Sequence, residues 1–337
     1  MRFFLFISCI LSCIFISNSC VNPSDTPNKI QFVDEAQGTY FMVSYFGSDT
    51  LVGLNQMDSL LKTFDQTASS WEDSSVISRI NRNEPDALTN ADFNRIFMQS
   101  KRIWKETDGA FDITVGPLVN AWGFGFKNKS TITDMLIDSL LTLVNFDGIT
   151  LKGNTVVKTD PRIQIDFNAI AQGYSVDLLG GFLESKGIEN YLIDIGGEVL
   201  AKGTKPKGEP WIVGIEKPAD DANAAREVKA RLKITNKAIA TSGNYRKFFE
   251  ENGIRYAHTI DPKTGYPARH TLLSATIMSD SAAIADAYAT ALMVMGLDKA
   301  KAFLATKPEL GAYLIFSTKD GDFETWATKN LMEMMVE

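Results

Sequence analysis

Two oxygen-bearing side chains, Asp286 and Thr290, stand four residues apart in the alanine-rich run SAAIADAYATALMVM at 281–295. On a helix that spacing puts both on one face. Their small neighbours (Ala282, Ala283, Ala285, Ala287, Ala289 and Ala291) let the backbone come close to another element or to a ligand. A carboxylate with a hydroxyl suits Mg2+, a hard cation that takes oxygen ligands and keeps positions for water and phosphate. Taken alone, the plainer reading has the better claim: a surface Asp, and a Thr bonded back to its own helix. His258 opens H-x-x-D-P-x-T-G, where Asp261-Pro262 and Thr264-Gly265 predict a tight turn. An imidazole titrates near neutrality and suits proton transfer; a polar turn residue bonded to backbone explains it equally well. His270 carries only that second reading. The chain has two histidines, and its three cysteines (Cys9, Cys13 and Cys20) all lie near the N-terminus, so a Cys/His zinc site lacks donors. The patterns G-x-S-x-G, G-x-x-x-x-G-K-S/T and G-x-G-x-x-G are absent, so any nucleotide is held by another device.

A second chemistry-bearing stretch is TDGAFDITVGPLVNAWGFG at 107–125. Gly109, Gly116, Gly123 and Gly125 permit turns and close approach that a Cβ blocks, and Pro117 fixes a bend. Phe111, Trp122, Phe124 and the following Phe126 offer flat apolar surface of the kind a planar ring needs. A compact loop plugging the core with aromatics explains the same residues, and composition alone favours that.

The elements that must position these groups are legible in part. TYFMVSYF at 39–46 predicts a strand. Leu54, Met57, Leu61 and Phe64 recur at helical spacing, and a longer helix is expected over 90–105, capped by Thr89 or Asn90. The 107–125 stretch is expected to be rich in loop, Ile163–Phe167 a strand, and 170–186 a helix stopped by Gly187. Further strands are expected at 191–195, 211–216, 228–234, 274–278 and 312–317, with helices over 281–295 and from an Asp298 cap to before Pro308. Strands and helices intermix without βαβ spacing, which gives α+β, with a cleft between two intimately joined lobes. At the N-terminus Arg2 precedes the apolar run FFLFISCILSCIFIS and then Asn18-Ser19-Cys20. The expectation is a lipoprotein-type signal peptide over 1–19, a flexible tether over 20–31 and one domain over 32–337. Cys20 is the expected acylation site, Cys13 its rival, and a plain signal peptide cut nearby the alternative. Such a protein is exported, membrane-anchored and periplasm-facing, yet has no cysteine after Cys20 for an internal disulfide. A net charge of −7 without a basic run argues against nucleic acid as a partner.

Seven segments, in order, resemble those of the ApbE family, the FAD:protein FMN transferases. They are SSWEDSSVISRIN at 69–81, the 107–125 stretch, IDFNAIAQGYSVD at 165–177, LIDIGGEV at 192–199, IATSGNYR at 239–246, HTIDPKTGYP at 258–267 and ADAYATAL at 285–292. The resemblance implies an ApbE-like, T-fold-related domain with FAD in the cleft. It implies Mg2+ held by Asp286, Thr290 and the main-chain carbonyl of Ala169. It places Ala110, Phe111, Asp112, Asp166, Gln172, Trp71, Gln37, His258 and Ile260 against the cofactor. Gln172 stands where Lys is usual, so a neutral amide would bond a base or ring rather than offset pyrophosphate charge. Gln37 stands where Met is common. Trp71 has a core aromatic as its rival reading. His258 becomes a cofactor contact or general base, and Asp286 with His258 the catalytic pair. The implied reaction moves FMN from FAD to a protein threonine and releases AMP. The implied acceptors are exported subunits of sodium-pumping NADH:quinone reductase or Rnf-type complexes, with the motif D-x-x-S-G-A-T. The alternatives are an FAD pyrophosphatase and a flavin-binding lipoprotein without turnover.

Overall fold

Alternation of apolar residues with period two builds the centre of the molecule. The computed structural model describes residues 27–47, 51–125, 130–217, 227–244, 248–251, 254–257, 259–320 and 322–336. The strands are β1 Lys29–Ala36, β2 Thr39–Phe46, β3 Ile149–Lys152, β4 Thr155–Lys158, β5 Tyr191–Ile195, β6 Glu198–Lys202, β7 Trp211–Glu216, β8 Val228–Ile234, β9 Lys237–Gly243, β10 Phe248–Glu251, β11 Ile254–Ala257, β12 Leu272–Ser279, β13 Gly311–Ser317, β14 Phe323–Ala327 and β15 Met335–Val336. The helices are α1 Leu54–Ala68, α2 Val76–Asn81, α3 Ala91–Glu106, α4 Gly116–Trp122, α5 Asp134–Leu141, α6 Ala171–Ser185, α7 Ala282–Met295, α8 Leu297–Ala305 and α9 Lys329–Met332. Eight strands form one sheet in the order β1-β2-β5-β6-β9-β12-β13-β14, each neighbour antiparallel. The fold is α+β.

Adjacent residues of the central strands point to opposite faces. Leu200, Ala238, Ala240, Ile277 and Leu314 face the helices. Val199, Ala201, Ile239, Met278, Tyr313 and Ile315 face the small sheet β15-β8-β7, which closes the other side. The result is three layers: helices, main sheet, small sheet. A satellite core of Leu118, Trp122, Ile137 and Ile260 joins α4 and α5 to the turn at 259–267.

α7 is buried all round by its alanines, and α6 crosses it at Gly173. A Cβ on Gly173 would lie 2.3 Å from the Ala282 carbonyl oxygen and 2.8 Å from Cα of Ala283, so the two backbones touch. Asp177 fixes the crossing. Its carboxylate accepts from the amides of Ala282 (2.8 Å) and Ala283 (3.0 Å) and from the Ser281 hydroxyl (2.6 Å), capping α7 from α6.

Several expectations change. Residues 163–167 form no strand; the side chain of Asn81 takes the place of a neighbour, donating to the Ile165 carbonyl (2.8 Å) and accepting from its amide (2.8 Å). Pro117 starts α4 rather than bending a loop, because a missing N–H costs nothing in a first helical turn. Asn90, not Thr89, caps α3, accepting from the Phe93 amide at 2.9 Å. Gly296, at φ 76°, leads into α8, and Asp298 sits inside its first turn. β1 opens at Lys29, within the stretch 20–31 expected to be a tether. Residues 1–26, with Cys13 and Cys20, and His258 and Phe126 lie outside the described residues.

Candidate active site

The Asp286 carboxylate is 6 % exposed and accepts from the Gly173 amide at 3.2 Å. That amide is one of the N–H groups a helix start leaves without an internal partner. In a regular helix it would point to the carbonyl four residues back, which is Ala169; it turns to Asp286 instead. Among the described residues no donor reaches the Ala169 carbonyl. Thr290 lies one turn along α7, and its hydroxyl meets that of Ser242 on β9 at 3.2 Å. The plainer reading of this pair therefore fails: Asp286 is buried, and the Thr290 hydroxyl meets another element. Asp286, the Thr290 and Ser242 hydroxyls and the Ala169 carbonyl are all oxygen donors, the type a hard cation takes. Among the described residues no three His, Cys, Asp or Glu side chains form a metal cluster of the Cys/His type.

Two hairpin tips come to the same turn of α6. Gln37 and Gly38, both at positive φ (55° and 73°), form the two-residue β1–β2 turn. The Gln37 amide donates to Asp65 (2.9 Å) and to the Ser175 hydroxyl (2.8 Å). Burial pushes the Asp65 carboxyl up from its ordinary value. At the β5–β6 turn Gly196 has φ 60°, and a Cβ there would strike the Gln172 amide at 2.4 Å. The Gln172 NH2 group donates to the Ile195 carbonyl (2.9 Å) and to Glu198 (2.6 Å). Both its hydrogens are thus spent on the protein, and only its oxygen can turn to a base or ring.

The 110–116 segment packs on residues 163–168. The Asp166 amide donates to the Ile113 carbonyl at 2.7 Å, and a Cβ on Gly116 would touch Cβ of Asp166 at 3.4 Å. Asp166 is partly buried and accepts from the Asn168 amide at 2.7 Å; burial pushes its carboxyl up from its ordinary value. Asp112 accepts from the Thr114 amide (2.7 Å) and hydroxyl (2.6 Å). Burial nevertheless lifts its carboxyl from 3.8 to about 6. Ala110, Phe111 and Trp122 are buried, so these two aromatics are core, as composition favoured, and not a ligand platform, while Phe124 is partly buried. Trp71 is the reverse. It is 64 % exposed on the turn between α1 and α2, which excludes the core reading.

The turn after His258 is held from behind. Ile260 is buried against Leu118, Trp122 and Ile137, so its side chain faces the satellite core rather than a cofactor. The Trp122 indole donates to the Gly265 carbonyl at 2.8 Å, and Gly265 has φ 77° against Ile137. Of the residues singled out in the sequence, Ala169 and Gln172 lie at the start of α6 and Asp286 reaches it through Gly173, while Thr290 lies one turn further along α7 against Ser242. No part in the site was assigned from sequence to Gly173, Asp177, Ser242 or Asn81. Asp177 and Asn81 close two of the quoted segments, and that placement was the available signal.

A model of the ApbE family matches residues 31–314. The chain is 33% identical over 329 residues to the FAD:protein FMN transferase of Vibrio cholerae, covering 95% of this chain and 96% of that one. It is 37% identical over 306 residues to that of Haemophilus influenzae, covering 87% and 88%. Among solved structures it is similar to the flavin transferase ApbE from Vibrio cholerae, with TM-score 0.80 and 32% identity over 91% of this chain and 99% of that one. The apo form of the Pseudomonas stutzeri flavinyl transferase ApbE gives TM-score 0.80 and 30% identity over 92% and 97%. The fold is thus that of the flavin-transferase class. The chain belongs to the ApbE family.

Proposed function

We propose that this enzyme moves the FMN part of FAD onto a threonine hydroxyl of a second protein and releases AMP. The observation that carries the reading is the α6–α7 crossing, where the buried Asp286 carboxylate meets the first turn of α6 at Gly173, Thr290 lies one turn along α7, and no donor among the described residues reaches the Ala169 carbonyl. The start of a helix turns partial positive charge toward a phosphate. Asp286, Thr290 and Ala169 would hold Mg2+, which when bound supplies neutralisation of the charge that develops on the pyrophosphate oxygens. Gln172, locked by Glu198 and Ile195, presents its oxygen to a flavin or adenine donor. Trp71 offers the exposed ring that Phe111 and Trp122 do not. His258 takes the threonine proton as the threonine oxygen bonds to the FMN phosphorus and the bond to AMP breaks. Asp112, Asp166 and Gln37 act by holding their loops, and Ala110 and Phe111 through main chain.

The acceptors we propose are exported subunits of sodium-pumping NADH:quinone reductase or Rnf-type complexes. The apolar leader and Cys20 support an exported, lipid-anchored, periplasm-facing enzyme. The test incubates the protein with FAD, Mg2+ and an acceptor, and follows acceptor mass and AMP. Covalent flavin that disappears when the acceptor threonine becomes Ala supports transfer. AMP and free FMN formed at one rate with or without acceptor would show a pyrophosphatase instead.

A further inference from the structure

We propose that the outer face of the small sheet β15-β8-β7 lies against an anionic lipid surface. Ala230, Leu232 and Ile234 of β8 point inward to the main sheet, while Lys229, Arg231 and Lys233 alternate with them and are exposed. Lys233 stands opposite Ile212 of β7, and Arg231 opposite Gly214 and Val336. The face is therefore a row of three cations set among aliphatic groups, a composition that suits a headgroup layer. Among the described residues none of the three cations makes an ion pair. Glu216, opposite Val228, and Glu227 flank the Lys229 end of the row, Glu227 paired with Lys217 at 3.1 Å. In a chain of net charge −7 this row opposes the general charge.

The entry of the chain chooses lipid over an acidic protein. Lys29, where β1 begins, pairs with Phe46, whose ring packs on Trp211 at 5.7 Å between centroids. Trp211 is opposite Ile234, next to Lys233. The inference rests on the lipid anchor proposed above. From Cys20 to Lys29 the chain spans at most about 30 Å, so the anchor tethers the molecule by the Lys233 end of this sheet. Lying flat on that face turns α6 and α7, on the opposite side of the main sheet, away from the membrane and toward an arriving acceptor.

The full-length chain should be mixed with zwitterionic vesicles, or with vesicles of roughly one-third anionic lipid, and floated. Lysines are then acylated in place and mapped by mass spectrometry. Lys229 and Lys233 should lose reactivity several-fold on anionic vesicles, while Lys62 on α1 should not, and salt at about 0.5 M should restore them. The variant Lys229→Glu/Arg231→Glu/Lys233→Glu should lose the preference for anionic over zwitterionic vesicles. With each base near the surface contributing about fivefold, that preference is on the order of 10²-fold. Flotation with both vesicles but no protection would keep the anchor and overturn the face. Flotation with anionic vesicles alone, lost in the variant, would keep the face and overturn the anchor. Flotation with neither would overturn both. Protection by an acidic peptide but not by anionic vesicles would assign the face to a protein and overturn the lipid reading.

Discussion

The two halves of the site are built in opposite ways. At the α6–α7 crossing, main chain meets main chain: Gly173 lies on Ala282 and Ala283, and Asp177 and Asp286 each take amides from the other helix. Around the 259–267 turn, side chains make the joints: an indole to the Gly265 carbonyl, an exposed pair between Lys263 and Asp108 (2.5 Å), and the Tyr266 hydroxyl on Asp134. Exposed ion pairs contribute little, commonly under about 1 kcal/mol. One half rests on backbone contact and buried carboxylates, the other on replaceable surface contacts. Charge on phosphate is stabilised best by a rigid array, which is why the crossing, and not the turn, should carry the metal and pyrophosphate.

The comparison breaks first at Asp286. Asp286→Ala removes the carboxylate and should cut transfer on the order of 10²-fold or more, with a folded protein by circular dichroism. Near-normal turnover in that variant would refute the assignment. Gly173→Ala should destabilise by about 3 kcal/mol, the upper end for overpacking, because the added Cβ meets backbone that cannot rotate away. Denaturant midpoints measure this, and an unchanged midpoint would mean that the helices do not touch.

Asp112 sharpens the comparison through pH. Its folded carboxyl, lifted by burial to about 6 from 3.8, binds a proton more tightly than the unfolded one. Its contribution is fully present below pH 3.8 and lost as pH rises through about 6, the reverse of a paired Asp. The loss amounts to roughly 3 kcal/mol. Asp112→Asn keeps an acceptor for Thr114 and should flatten this window, so that the variant gains relative stability above pH 6. Parallel stability curves for the two proteins would contradict the burial effect. The smallest effect is expected on the other half: Trp122→Phe loses the bond to Gly265 and about 1 kcal/mol, with transfer reduced less than in Asp286→Ala.

Legibility in the sequence follows the same division between local and non-local causes. α3 and α7 were readable because their caps, Asn90 and Ser281, and their periodicity are local. β2 was readable from its β-branched and aromatic residues. The false strand at 163–167 had a strand's pattern, but its partner is the side chain of Asn81, over 80 residues away in sequence, which no window can show. α4 was missed because Gly116 and Pro117 read as breakers, although both are at home in a first turn. Asp286 and Thr290 were readable as a spacing. The burial of Asp286 and the Gly173 amide were not, since both arise only when α6 crosses α7. Burial of the aromatics follows their neighbours: Trp71 lies among Ser69, Ser70, Glu72, Asp73 and Ser74 and is exposed, whereas Phe111, beside Ala110 and Ile113, is in the core.

The most direct test of the rigid half is Mg2+ titration by calorimetry into the protein with FAD bound. The account predicts one Mg2+ site in the wild type, lost in Asp286→Ala and weakened in Thr290→Val. Undiminished binding of Mg2+ to Asp286→Ala would contradict it and move the metal away from the α6–α7 crossing.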